Sequence, residues 1–180
     1  FEGFGDPFEI FEQFFGGASP FGKRKPSYAI EIEFMEAVRG VEKRVSINNQ
    51  NKTIKIPAGI DDGTRIRFDD FDIVVRVASD RRFPRQGSDI ITEAEISMTQ
   101  AALGDVIDVE TVHGEVKLKI PEGTQPQALI RIKGKGMPHV RGKGMGDHYV
   151  RVKIKIPTKL SSKQKELLQE FDQNSKKGWF

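Results

Sequence analysis

The sequence predicts a mainly β protein, with two tandem β-sandwich-like domains, short helices and a C-terminal helix. Three observations lead there. The stretch IKIPAGIDDGTRIRF at Ile54–Phe68 recurs as LKIPEGTQPQALIRI at Leu118–Ile132, and self-similarity at a fixed spacing marks a repeated structural unit. Around both copies, apolar and polar residues alternate with the period of two that a half-buried strand requires. Only the C-terminal end changes to the wider spacing of a helix.

The repeat sets the domain plan. Pro57 matches Pro121 and Gly59 matches Gly123, a spacing of 64 residues that also pairs Ile32 with Ile96, Ala37 with Ala101, Gly40 with Gly104 and Val45 with Val109. The plan is a flexible Gly/Phe-rich segment at 1–25, a first β-domain with its linker at 26–89, a second β-domain at 90–157, and a helix with its tail at 158–180.

Composition narrows the function. The 180 residues contain no cysteine, which excludes disulfides and thiolate metal sites. His113, His139 and His148 share no ligand spacing, so neither a metal nor a cofactor is expected. No apolar run approaches the roughly 18 residues that a bilayer span needs. Lys and Arg number 29 against 26 Asp and Glu, with a pI near 9.1, which reads as a mixed-charge surface rather than a nucleic-acid patch. The chain begins at Phe1 rather than Met, as a processed or excised fragment would, and shows no signal-peptide pattern.

Seven of the thirteen phenylalanines lie in residues 1–25, among glycines that raise the entropic cost of ordering. One short helix is expected there. Asp6 is its N-cap, Pro7 its first residue and Glu9 the end of a D-x-x-E box, with Phe8, Phe11 and Phe15 on one face and Gly16 past the end. Such a helix is too short to stand alone. The segment is therefore either an aromatic linker or a docking segment.

In the first unit, Tyr28, Ile30, Ile32 and Phe34 alternate with Glu31 and Glu33 as a strand. Met35–Arg39 forms a helical turn closed by Gly40. Val41–Ile47 is a second strand, Asn48–Asn51 a hairpin turn, and Arg65–Phe68 and Phe71–Ala78 are further strands. The second unit repeats the order with Ile90–Ser97, the turn Met98–Leu103, Asp105–Thr111, Glu115–Ile120 and Ala128–Lys133. Matching Val75 and Val77 to Val150 and Val152 gives a spacing of 75. On that alignment the second copy holds eleven additional residues, chiefly in KGKGMPHVRGKGMG at Lys133–Gly146.

Ser161 and Gln164 then open a helix of about twelve residues. Its stripe Leu167, Leu168 and Phe171 requires a partner surface, either its own sheet or a second chain. Trp179 and Phe180 suit a small apolar contact in such a pairing.

No catalytic centre is expected. Gly134–Gly146 lacks the GxxxxGK[ST] order and sits between strands, so it reads as a flexible loop. Asp61–Asp62 and Asp69–Asp70 are turn residues, and Asp108 and Glu110 face solvent. Tyr28, Ile30, Val45 and Ile47, on a strand pair at the start of the first unit, are either core residues or the apolar lining of a groove. At a sheet edge they would also offer backbone groups for strand addition. Their counterparts Thr92, Ala94, Val109 and Thr111 are smaller or more polar, which makes the second unit a spacer. The rival reading is nucleic-acid binding through Lys133, Lys135, Arg141, Lys143 and the Lys153–Lys165 run.

The order MEAVRG, VEKRVSI, IPAGIDDGTRIRF, RFPRQGSDI, ISMTQAALGDVIDVETVHGEVKLKIPEGTQ and RIKGKGMPHVRGKGMGDHYVRVKIKIPTKLSSKQKELLQEF resembles J-domain co-chaperones of the DnaJ type over nearly all of the chain. The resemblance implies a Gly/Phe region, two C-terminal β-domains and a dimerisation helix. A zinc module would interrupt the region between Val41 and Ile56; only SINNQNKT stands there, as in the class without zinc, which includes curved-DNA-binding relatives. The His-Pro-Asp motif of the J-domain does not occur in these residues, so the fragment should hold clients without stimulating ATP hydrolysis. The connection at Asp69–Phe71 is shorter than in relatives. The resemblance places a client groove at Tyr28, Ile30, Val45, Ile47 and Phe83. It implies unfolded clients, a DnaK-type heat-shock chaperone as partner, a homodimer, possible weak DNA binding, and a cytoplasmic, stress-response setting. In some relatives the partner's acidic tail uses the first domain, which would set Lys43 opposite carboxylates.

Overall fold

The computed structural model describes residues 25–47 and 49–177. The helix expected from Pro7 to Phe15 and the pair Trp179 and Phe180 lie outside the described residues.

Each unit packs a small sheet against a hairpin. In the first, β1 (Ser27–Ile32) runs parallel to β5 (Asp72–Val77), which pairs antiparallel with β4 (Arg65–Arg67). The hairpin joins β2 (Val41–Ile47) to β3 (Gln50–Ile56). In the second unit, β7 (Asp89–Ser97) runs parallel to β11 (His148–Lys155), with β10 (Leu129–Ile132) antiparallel beyond it and the hairpin β8 (Asp105–Thr111)–β9 (Gly114–Ile120) alongside. The presumed linker contributes β6 (Arg85–Gln86), paired antiparallel to β7. Ile30 and Ile32 are buried while Ala29 and Glu31 are exposed, as a sheet covered on one face requires.

A six-residue helix follows the first strand of each unit, α1 (Phe34–Arg39) and α2 (Met98–Leu103). Ser97 Oγ accepts from the Gln100 N–H at 3.1 Å while the Ser97 N–H donates to Gln100 Oε1 at 2.8 Å, which satisfies two otherwise orphaned donors. Gly40 and Gly104 end the helices at φ 75 and 76 with ψ 154 and 158, a region essentially restricted to glycine. The duplication has kept glycine where the backbone demands it. The last helix, α3 (Ser162–Lys177), has sixteen residues rather than about twelve. Its predicted cap is present, with the Ser161 N–H donating to Gln164 Oε1 at 2.8 Å.

Strand register corrects the alignment of the copies. Ile30 pairs with Val75 and Ala94 with Val152; Ile66 pairs with Ile73 and Ile130 with Val150. Val75 therefore corresponds to Val152, a spacing of 77, and the second copy holds thirteen additional residues rather than eleven. A slip of two positions leaves the in-and-out alternation unchanged, so apolar pattern alone could not separate the two alignments.

The added residues lie in the loop between β10 and β11, which is hydrogen-bonded at its base rather than a plain flexible loop. The Gly136 N–H donates to Gly146 O at 2.9 Å, Gly146 N–H to Met137 O at 2.9 Å and Met137 N–H to Ser88 O at 2.8 Å. Met137 is fully buried. With Ile90 and Val112 it joins the apolar cluster of the first unit, which includes Ile32, Ile54, Ile56, Phe71 and Ile73. Ile96, Ala101, Val109, Leu118, Ile120, Val150 and Val152 form the second cluster.

Candidate functional site

β1 is an edge strand. Its sheet runs β1-β5-β4, and among the described residues no strand pairs with its outer side. The backbone bonds at its two ends turn inward, from the Asp72 N–H to Pro26 O and from the Ala78 N–H to Ile32 O, both at 2.9 Å. The expected pairing of the Tyr28 strand with the Val45 strand does not occur. α1 and Gly40 redirect the chain between them, so β2 takes β3 as its partner and β1 takes β5.

Side chains of β1 and of the β2–β3 hairpin meet at Phe71 instead. The Tyr28 ring meets Phe71 edge-on, with centroids 6.1 Å apart at 75°, and Phe71 stacks on Phe68 at 4.7 Å. Lys52, directly across the hairpin from Val45, places its Nζ 4.6 Å from the Phe71 centroid, a cation–π distance. Tyr28 and Val45 are half-buried and pack against the first unit's apolar cluster, within which Ile30 and Ile47 are buried at 9% and 3% exposure. Sequence reasoning missed Phe68, Phe71 and Lys52. The available signal was the Phe68-Asp69-Asp70-Phe71 spacing, whose tight turn is closed by the Phe68 N–H donating to Phe71 O at 2.9 Å.

Phe83 belongs to the same buried cluster. It is buried, stacked on Phe34 at 6.1 Å with the Arg82 guanidinium 5.1 Å from its ring. With Met35, Val38, Val112 and His113 it lines a cavity of about 710 Å³ between α1 and the β8–β9 turn. The linker folds back as β6, and Phe83 sits at the junction of the units within the same buried cluster as Ile30 and Ile47, against which Tyr28 and Val45 pack. Lys43 is engaged at 2.6 Å by Glu36. That hydrogen bond, then the Glu33 N–H, hold the Glu36 carboxyl below the usual carboxylate range.

The corresponding places in the second unit carry a different pair. By the spacings of 64 and 77, Tyr28 corresponds to Thr92 and Phe71 to His148. Thr92 Oγ1 lies 2.7 Å from His148 Nε2. His148 is fully buried, its Nδ1 has no hydrogen-bond partner among the described residues, and burial lowers its pKa.

On α3, Leu167 and Phe171 are exposed at 52% and 69%. Leu167 and Leu168 line a hollow of about 500 Å³ with Ile96, Met98, Pro157 and Leu160. The basic run behind the nucleic-acid reading is interleaved with carboxylates: Lys153 pairs with Glu93 at 2.6 Å, Lys155 with Glu95 at 2.8 Å and Lys163 with Glu166 at 3.0 Å. Among the described residues, no group of three or more His, Asp or Glu could hold a metal ion, and no helix is long and apolar enough to cross a membrane.

Residues 27–157 match the family described as the DnaJ C terminal domain. The chain belongs to that family. It is 48% identical over 145 residues to the chaperone protein DnaJ of Geobacillus thermodenitrificans (strain NG80-2), a match covering 73% of this chain and 37% of the relative. Identity is 49% over 130 residues to that of Brevibacillus choshinensis, covering 65% and 35%. It is 49% over 144 residues to that of Bacillus cereus (strain B4264), covering 73% and 38%. This DnaJ C-terminal chain thus spans little more than a third of the length of the relatives it matches, which carry the name of a chaperone rather than of an enzyme.

Proposed function

We propose that this chain holds unfolded or partly folded polypeptide at the open edge of β1. Client backbone adds to the edge, and client apolar side chains contact Tyr28 and Val45 over a floor formed by Ile30 and Ile47. The observation that carries this reading is a strand edge that no other described strand pairs with, bordered by the half-buried Tyr28 on an aromatic cluster. Phe83, stacked on Phe34 in the same buried cluster, supports that floor from beneath. The client then passes to a DnaK-type chaperone.

The direct test is the double variant Tyr28→Ser/Val45→Ser, with affinity for a fluorescent unfolded polypeptide as the readout. Binding should weaken about ten-fold, the loss expected when central apolar contacts are removed, with the circular dichroism spectrum unchanged. Equal affinity removes the groove. Ile30 and Ile47 are unsuitable test positions, because a polar residue in the core would cost several kcal/mol of stability.

The proposal includes a homodimer joined by α3 through Leu167, Leu168 and Phe171, with Trp179 and Phe180 beyond, which gives a client two grooves and raises avidity. Truncation after Pro157 should yield a monomer in sedimentation; a persistent dimer places the interface elsewhere.

A further inference from the structure

We infer that the tip of the loop between β10 and β11 is a docking surface for acidic polypeptide segments that carry apolar side chains. Residues 133–146 contain Lys133, Lys135, Arg141 and Lys143 and no acidic residue. Among the described residues, none of the four cations makes an ion pair or a side-chain hydrogen bond. The nearest carboxylate in the chain, Asp147, is already engaged by the Gly134 N–H at 2.7 Å and by Arg131 at 3.6 Å. Val140 and Met145 lie exposed among these cations, at 44% and 48%.

The tip is also held in place. Pro138 bridges to Met145, the His139 N–H donates to Gly144 O at 3.2 Å, and His139 Nδ1 lies 3.1 Å from Ser88 Oγ. Below it there is no room for the base to shift: a Cβ on Gly136 or Gly146 would stand 2.6 or 2.1 Å from Ser88 O. A surface presented in one geometry loses little entropy on binding. Charge complementarity identifies the partner as anionic, and the exposed Val140 and Met145 favour a peptide over a phosphate backbone. The neighbouring strand cations Lys153 and Lys155 are neutralised by Glu93 and Glu95, so the loop does not continue into a basic stripe long enough for duplex DNA.

Fluorescence anisotropy tests this with three labelled probes. These are an unstructured peptide alternating Asp/Glu with Phe/Leu, its Asn/Gln twin, and a short DNA duplex. The acidic peptide should bind at least about ten-fold tighter than its twin and weaken as salt rises, as charge-steered association does. Arg141→Glu/Lys143→Glu should abolish the difference, and Val140→Ser/Met145→Ser should weaken acidic-peptide binding several-fold. All four positions are exposed, so the fold should persist, checked by circular dichroism. Tyr28→Ser/Val45→Ser should leave this binding unchanged, which keeps the loop distinct from the groove. Equal affinity for the twin peptide, indifference to the Arg141 and Lys143 changes, or preferential binding of the duplex would each overturn the proposal.

Discussion

Tyr28 and Phe71 in the first unit occupy the places that Thr92 and His148 take in the second. One pair is an edge-to-face aromatic contact beside an open strand edge; the other is a hydrogen-bonded polar pair closed into the core. The backbone frame is shared and the side chains are not. Two copies of one fold have thus diverged, the first towards an apolar margin and the second towards a polar interior contact. The repeated turns show the same divergence. Gly59, at φ 82, is so tightly covered that a Cβ would stand 1.9 Å from Pro138 O, whereas Gly123, at φ 71, has nothing within 4 Å. Arg85 secures the first turn by donating to Gly59 O at 2.8 Å and Ile60 O at 2.7 Å and by pairing with Asp61. The first turn is therefore the socket for the loop that only the second copy possesses. A unit followed by another must present such a face; the second unit presents its turn to solvent.

Substitution at the two turns should break this comparison most sharply. Gly59→Ala combines a left-handed backbone with a collision against Pro138 and should cost more than about 3 kcal/mol in urea unfolding, while Gly123→Ala should cost about 1 kcal/mol. Similar losses at both would mean that Gly59 is not a socket.

The pH response should separate the copies next. His148 has a lowered folded-state pKa, so the unfolded chain binds more protons once the pH falls through the ordinary value of 6.5. Stability should fall on acidification from pH 7 towards 5. Carboxylates held low by hydrogen bonds, such as Glu36, Asp80 and Asp105, keep their contribution until about pH 4. His148→Phe, which copies the first unit, should flatten the slope above pH 5, and an unchanged slope would assign it to other groups.

A smaller effect is expected at Gln127, which takes φ 66 where the first copy has Gly63 at φ 73. Each donates its N–H across the sheet at 2.8 Å, to Val152 O and Val75 O. Gln127→Gly should stabilise by up to about 1 kcal/mol by relieving left-handed strain, read from the same unfolding curves.

Much of this fold was legible in the sequence because alternation and repetition report burial directly. The strands around Ile30, Ile56, Ile96 and Ile120 and the glycines at Gly40 and Gly104 are examples. The α3 cap at Ser161 and Gln164 was legible for the same local reason. What the sequence concealed depended on pairing between distant residues. The two-residue register difference between β5 and β11 is invisible to a period of two. The separation of β1 from β2, the burial of Phe83 against Phe34, and the Tyr28–Phe71–Lys52 cluster arise from contacts across 19 to 49 positions that no local pattern encodes.

The central claim is that clients bind the first unit and not the second. Its most direct test is the affinity of one fluorescent unfolded polypeptide for two double variants. Tyr28→Ser/Val45→Ser changes the first unit, and Leu103→Ser/Val106→Ser removes two exposed apolar side chains from the second, at 78% and 54% exposure. The account predicts a loss of about ten-fold for the first variant and no change for the second. An unaffected first variant beside a weakened second would contradict it.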